Sequence, residues 1–259
     1  MCLRLVPGVL DRSRATDNVS ADSRRHGAPI VIAIDGPAAS GKSSTAHWVA
    51  SVLRYRHVDS GALYRAATAA ALRRHTQPDR WTEELVLDAA QAVTLSPRDT
   101  SFAPCIDGND VEAEIRGTEV TRFVSKVAQM PLVRAWVNRL VQETAASHDI
   151  VVDGRDMGTA VFPNATLKVF LIADPWERAR RRLTQHLGRR PTEAETAEET
   201  DRLVHRDAQD ATQTVQAKDA VLIDTTYLTQ PEQVDRIVAL ARAVTQRGSE
   251  TSPVDAPDP

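Results

Sequence analysis

The sequence predicts an α/β fold, a mostly parallel sheet with helices on both faces. Two observations predict it: short apolar runs alternate with helical stretches along most of the chain, and the first run leads directly into a glycine-bounded loop and a helix. That first strand is Ile30, Val31, Ile32, Ala33 and Ile34, and the helix after its loop covers about 43–54. A short strand follows near His57 to Asp59, then helical stretches through Leu72 and over about 82–93. Further strands fall at 149–152, 167–172 and 220–224, with helices after the last two. Residues from about 96 to 130 break the rhythm, with a turn at Asp107-Gly108 and two short helical pieces, and read as an inserted subdomain. From 188 to 200 the chain becomes polar and glutamate-rich, as either a solvated connector or a mobile lid. Residues 1–27 and 247–259 have the composition of disordered tails, which leaves one domain over 28–246.

At 259 residues and 42% apolar content the chain can bury one good-sized α/β core. A net charge of −3 excludes the overall basic field that would hold nucleic acid nonspecifically. Cys2 and Cys105 form neither a disulfide framework nor a metal-site spacing, which suits a reducing cytoplasm, and Cys105 is expected to pack rather than react. The first ten residues are interrupted by Arg4 and Pro7 and hold no apolar run long enough for a signal sequence or membrane span. The expectation is a soluble cytoplasmic monomer with neither a nucleic-acid nor a membrane partner.

The loop after the first strand reads Gly36-Pro37-Ala38-Ala39-Ser40-Gly41-Lys42-Ser43-Ser44. Its glycine, lysine and hydroxyl spacing is that of a phosphate-binding loop. Gly36 and Gly41 let the backbone wrap around phosphate oxygens, and Lys42 supplies a point charge to the β and γ groups. The expected donor-binding set is Gly36, Ala38, Ala39, Ser40, Gly41, Lys42, Ser43 and Ser44, with the following helix pointing its positive end at the same anion. Ser43 offers a hydroxyl to Mg²⁺, and a carboxylate, Asp35 or Asp153, completes the expected metal set.

Three further clusters supply an acceptor. Asp59-Ser60-Gly61-Ala62-Leu63-Tyr64-Arg65 lies where a strand gives way to a helix, the place at which open α/β sheets bind ligands. Ser60 is there either as a helix cap or as a site residue, and Tyr64 and Arg65 can face the crevice. Val151-Val152-Asp153-Gly154-Arg155-Asp156-Met157-Gly158-Thr159 ends an apolar strand in two carboxylates flanking an arginine. Such a carboxylate is the usual partner of a phosphate-binding loop. In the helix over 176–187, Trp176, Ala179, Leu183 and Leu187 fall on one side and Arg178, Arg181 and Arg182 on the other. Beside a triphosphate those arginines stabilise charge on a transferring phosphoryl group rather than mark a solvated face. His47, His57, His148 and His205 show no partner spacing and are assigned structural or exposed roles.

These segments together resemble the bacterial cytidylate kinases, nucleoside monophosphate kinases that move the γ-phosphoryl of ATP onto CMP or dCMP. The resemblance spans about 29–241 and also includes Glu114-Ile115-Arg116, 125–134, Val161-Phe162-Pro163 and Asp224-Thr225-Thr226. It implies a P-loop NTPase fold with an acceptor-binding insert at about 96–130 and a lid at about 183–218. It further implies that Ser60, Arg134 and Asp156 recognise the cytosine with Ser125 close by, and that Asp153 contacts the sugar. Tyr64 would pack against the acceptor, Arg65 and Arg155 would bind its phosphate, and Arg206 matches a lid position of the family. Lys42, Arg155, Arg178 and Arg181 are the expected catalytic residues, with Mg²⁺ and ATP as the implied cofactor and donor.

One stretch departs from the family. Residues 206–218 read several positions shorter than the family's second lid helix and its extension, and Gln213 stands where a phosphate-binding arginine is expected. A neutral amide cannot make the bidentate charged contact of a guanidinium. Two other readings follow from this: a paralogue acting on a modified cytidine nucleotide, and a nucleotide-binding regulator without turnover.

Overall fold

A computed structural model describes residues 28–250. The elements in chain order are β1 (Val31–Asp35), α1 (Lys42–Leu53), β2 (Arg56–Asp59), α2 (Ser60–Arg74), α3 (Glu83–Ala90), β3 (Val93–Pro97), β4 (Phe102–Ile106) and β5 (Asn109–Asp110). There follow α4 (Thr118–Ala128), α5 (Pro131–Ala145), β6 (Ile150–Gly154), β7 (Leu167–Ile172), α6 (Pro175–Leu187), α7 (Glu193–Asp210), β8 (Val221–Asp224) and α8 (Gln230–Glu250).

Five strands form a sheet in the order β2-β6-β1-β7-β8, with every pairing parallel. Successive side chains of a strand point to opposite faces, and the core divides accordingly. Ala33, Val58, Ile150 and Val152 join the helices α2 to α5, whereas Ile32, Ile34, Val151 and Val169 join α1 and α8. Because β6 lies between β1 and β2 with Asp153 level with Ile34 and Asp59, the loops after all three strands open at one end of the sheet. That end is where such sheets bind ligands.

Residues 93–110 form a separate antiparallel sheet, β3-β4-β5. Its tight turn is the expected Asp107-Gly108, and both residues take positive φ, 51° and 78°. The helix expected over 82–93 stops at Ala90, because Val93 instead pairs with Ile106. The helix α5 has no counterpart in the sequence reading, although Pro131 at its start and Val133, Val137 and Val141 on its buried side carry the pattern. Most of the polar stretch 188–200 is helical: Gly188, at φ 65°, closes α6, and Thr192 with Glu195 forms a capping box that opens α7.

Cys105 is buried on β4, as its expected packing role requires, while Cys2 lies outside the described residues. The expected N-terminal tail, 1–27, also lies outside them, and α8 runs on to Glu250 through the start of the expected C-terminal one. Among the described residues no helix is long and apolar enough to cross a membrane.

Candidate active site

The loop between β1 and α1 owes its shape to its glycines. Gly36, at φ 147°, passes so close to β7 that a Cβ there would collide with the Leu171 carbonyl oxygen, and Gly41 turns the chain into α1 at φ 91°. No side chain caps α1, which leaves its first-turn amides for an anion. Lys42 is buried, and its Nζ donates to Pro37 O at 2.6 Å and to Ser40 Oγ at 3.5 Å. Burial, and then the nearby positive charge of Arg155, lowers its pKa to about 7. A polyanion in the loop would reverse that shift.

The two carboxylates named for the metal are placed differently. Asp35 turns its oxygens to the amides of Met157 (2.9 Å) and Gly158 (2.7 Å), tying β1 to the turn after β6; burial raises its pKa to about 6. Asp153, at the end of β6, lines the cleft and accepts from Ser43 Oγ at 2.5 Å. A serine hydroxyl beside one carboxylate, both hard oxygen donors, fits Mg²⁺, which is held by few protein groups together with substrate phosphates. Among the described residues no cluster of three His, Cys, Asp or Glu side chains offers an all-protein metal cage.

Of the structural and exposed roles expected for the histidines, His57 takes the structural one. It is buried on β2, and its Nε2 lies 2.7 Å from Asp153 Oδ1. Burial disfavours the carboxylate of Asp153, yet the hydrogen bonds from His57 and Ser43 outweigh it and hold its pKa below the usual range. The signal was available only in part: His57 and Asp59 share a face of β2 by alternation, and β6 brings Asp153 level with Asp59.

Across the cleft, Asp59 accepts from Ala62 N at 3.0 Å and so caps α2. The alternative reading of Ser60 as the cap is thereby removed; its Oγ donates instead to Asp153 O at 2.7 Å. Tyr64 is buried with its hydroxyl unpartnered, and the Arg134 guanidinium lies over its ring, 5.8 Å from the centroid. Arg134 also donates to Asp156 and, at 3.3 Å, to Gln213 Oε1. Ser125 joins Tyr64, Arg134 and Asp156 in lining the same wall.

Arg155 reaches Gly36 O and Asp210 Oδ2, each at 3.4 Å, and Arg206 pairs with Asp210 at 3.7 Å. The buried Nε atoms of Arg155 and Arg206 have no hydrogen-bond partner. Arg65 donates to Ile115 O and to Thr121 Oγ1 at 2.9 Å. Burial, with Arg206 and Arg116 nearby, lowers its pKa to about 10, and burial with Arg155 likewise lowers that of Arg206. The two walls enclose one cavity of about 880 Å³.

The arginines of α6 do not share one environment. Trp176 and Leu187, expected on the apolar side, are exposed, whereas Arg178 is 3% exposed. Its guanidinium is satisfied by Ala173 O (3.1 Å), Ala38 O (2.8 Å) and Asp207 (2.6 Å), so it braces the phosphate loop from behind. Arg181 lines the cleft while donating to Thr225 O and Thr226 O, and Arg182 lines it while paired with Glu199 at 3.2 Å.

A glycine loop that leaves a helix N-terminus uncapped, a serine hydroxyl on a strand-end carboxylate and a facing wall of arginines, all at one end of a parallel sheet, are the parts of a P-loop phosphotransferase. The comparisons make this particular. The family model described as cytidylate kinase matches residues 32–243. A cytidylate kinase of Chlorobaculum tepidum is 39% identical over 85% of this chain and 96% of its own. One from Limosilactobacillus fermentum is 41% identical over 80% of this chain and 93% of its own. A bifunctional pantoate ligase/cytidylate kinase of a Synechococcus strain is 40% identical over 87% of this chain and 43% of its own. The chain belongs to the cytidylate kinase family.

Proposed function

We propose that the chain transfers the γ-phosphoryl group of ATP to CMP or dCMP, giving ADP and CDP or dCDP. The observation that carries this reading is the pairing, across one cavity, of the phosphate loop with a wall holding Arg134 and Asp156 in mutual contact beside Tyr64. A cytosine needs an acceptor for its exocyclic amine and donors for its carbonyl and ring nitrogen, which a carboxylate and a guanidinium provide.

In this reading the loop amides and Lys42 hold the β and γ phosphates of ATP, and Ser43 with Asp153 holds Mg²⁺. The ion, when bound, neutralises charge on the phosphate oxygens. The acceptor phosphate sits among Arg65, Arg155 and Arg206, and Ser60 and Ser125 complete the base and sugar side. An acceptor phosphate oxygen attacks the γ phosphorus as the bond to the β–γ bridging oxygen breaks, and ADP carries the electron pair away. No general base is needed, because the acceptor is already anionic; catalysis is positioning and charge neutralisation. Arg155 is central because it reaches both the phosphate loop and Asp210 of α7. Residues from about 183 to 218, the end of α6 through α7 and the segment after it, serve as the lid, excluding water and so suppressing ATP hydrolysis. The β3-β4-β5 sheet with α4 serves as the acceptor-side insert.

The test is ADP release from ATP with CMP, dCMP, UMP, AMP and chemically modified cytidylates as acceptors, using Lys42→Ala as the blank. Release that depends on CMP or dCMP is expected. Release with a chemically modified cytidylate alone, or tight ATP binding with no acceptor-dependent turnover, would replace this reading.

A further inference from the structure

The mechanism above gives no task to the buried imidazole of His57. His57 is a β-strand residue whose side chain is 9% exposed, level with Val151 on the sheet face that also buries Ile32 and Ile34. Burying an imidazole among such neighbours is costly unless a strong partner meets it. The partner is the carboxylate that also meets the phosphate loop: Asp153 Oδ1 is 2.7 Å from His57 Nε2, and Oδ2 accepts from Ser43 Oγ at 2.5 Å. An ionised carboxylate only accepts, so Nε2 carries the proton in this contact. The main chain of the same residue is held as well, since His57 N donates to Thr100 O at 2.9 Å and ties β2 to the β3–β4 turn. The ring of His47, on α1, stands edge-on to it at 5.7 Å.

We propose that His57 is a positioning residue for the metal site: by holding Oδ1 of Asp153 it fixes the carboxylate rotation that presents Oδ2 to Ser43 and to the divalent cation. The inference rests on the reading that Ser43 and Asp153 hold Mg²⁺. Without the imidazole, Asp153 keeps its burial but loses a donor and its orientation. Outer partners that orient a metal-binding carboxylate typically contribute about 10–100-fold in metal affinity. A histidine that merely fills space would affect stability and leave the response to Mg²⁺ unchanged.

The experiment measures ADP binding to the full chain by calorimetry, once with Mg²⁺ and once with excess chelator, for wild type, His57→Leu and His57→Gln. Leu removes the donor; Gln places an amide nitrogen close to the position of Nε2. His57→Leu is expected to weaken binding about tenfold or more in Mg²⁺ and to leave binding in chelator within about twofold, with His57→Gln recovering most of the loss. Should the Leu variant fail to fold, His57→Asn, polar but too short to reach Asp153, gives the same readout. An equal response to Mg²⁺ in wild type and variants would overturn the assignment, as would an equal loss with and without the ion. Wild-type binding that ignores Mg²⁺ would instead remove the metal reading of Ser43 and Asp153, and the role of His57 with it.

Discussion

The two walls of the cleft are finished to different degrees. On the donor side each charged group already has a partner: Lys42 on Pro37 O and Ser40, Asp153 on Ser43 and His57, Arg178 on Ala38 O and Asp207. On the acceptor side, buried groups lack a hydrogen bond: the Nε of Arg155, the hydroxyl of Tyr64, and the Nε of Arg206, which has only the looser ion pair with Asp210 at 3.7 Å. A buried donor without an acceptor costs free energy until a ligand supplies one. The donor wall is therefore preorganised by strand ends that meet in one sheet, whereas the acceptor wall holds hydrogen-bonding capacity in reserve and draws it from α2, α5, α7 and the turn after β6.

The largest way to break this contrast is to undo the bracing of the donor wall. Arg178→Ala would leave the half-buried Asp207 carboxylate with only the Ala38 amide and the Ala38 carbonyl without its donor, and leaving buried polar groups unsatisfied in this way costs up to about 3 kcal/mol. A clear fall in Tm by calorimetry is expected. An unchanged Tm with lost turnover would return Arg178 to the catalytic set in which the sequence placed it. Next in size is Arg155→Ala, which removes a guanidinium that touches both walls. Loss of one preorganised charge-stabilising donor costs on the order of 100-fold in kcat, and steady-state kinetics with CMP should show it at nearly unchanged Tm. Near-normal kcat/KM would mean that Arg155 serves only to join Gly36 to Asp210.

The same contrast governs what the amino-acid order reveals. The strand, loop and helix from Val31 to Leu53 are legible because every part of the motif is contiguous, and the clusters at 59–65 and 153–159 are legible because each sits at the end of one strand. His57 was not, since its partner lies 96 residues away and is reached only through parallel pairing. The choice between Asp35 and Asp153 was likewise invisible, because it depends on which carboxylate the Met157 and Gly158 amides engage. Helical periodicity groups Arg178 with Arg181 and Arg182 but cannot say which of them meets the loop and which meets open cleft. For α5 the apolar spacing was present, and the irregular stretch before it drew attention away.

The smallest expected effect tests the acceptor wall at the segment just after α7. Gln213 accepts from Arg134 at 3.3 Å, so an amide stands beside the guanidinium that holds Asp156. Gln213→Arg would exchange that contact for a cation in a cleft that already contains Arg65, Arg155 and Arg206. Without substrate the added charge is repelled; with a monophosphate in place it gains an anion. A partly solvated pair of this kind is worth up to about 1 kcal/mol, roughly fivefold, and salt screens it. The expected outcome is a fall of about that size in KM for CMP, with kcat little changed and the gain fading as ionic strength rises. A KM that does not move would place Gln213 with the base-reading pair instead. In that case Gln213→Ala, which frees Arg134 from its amide, should change the ratio of kcat/KM for CMP over UMP while leaving ATP binding as it was.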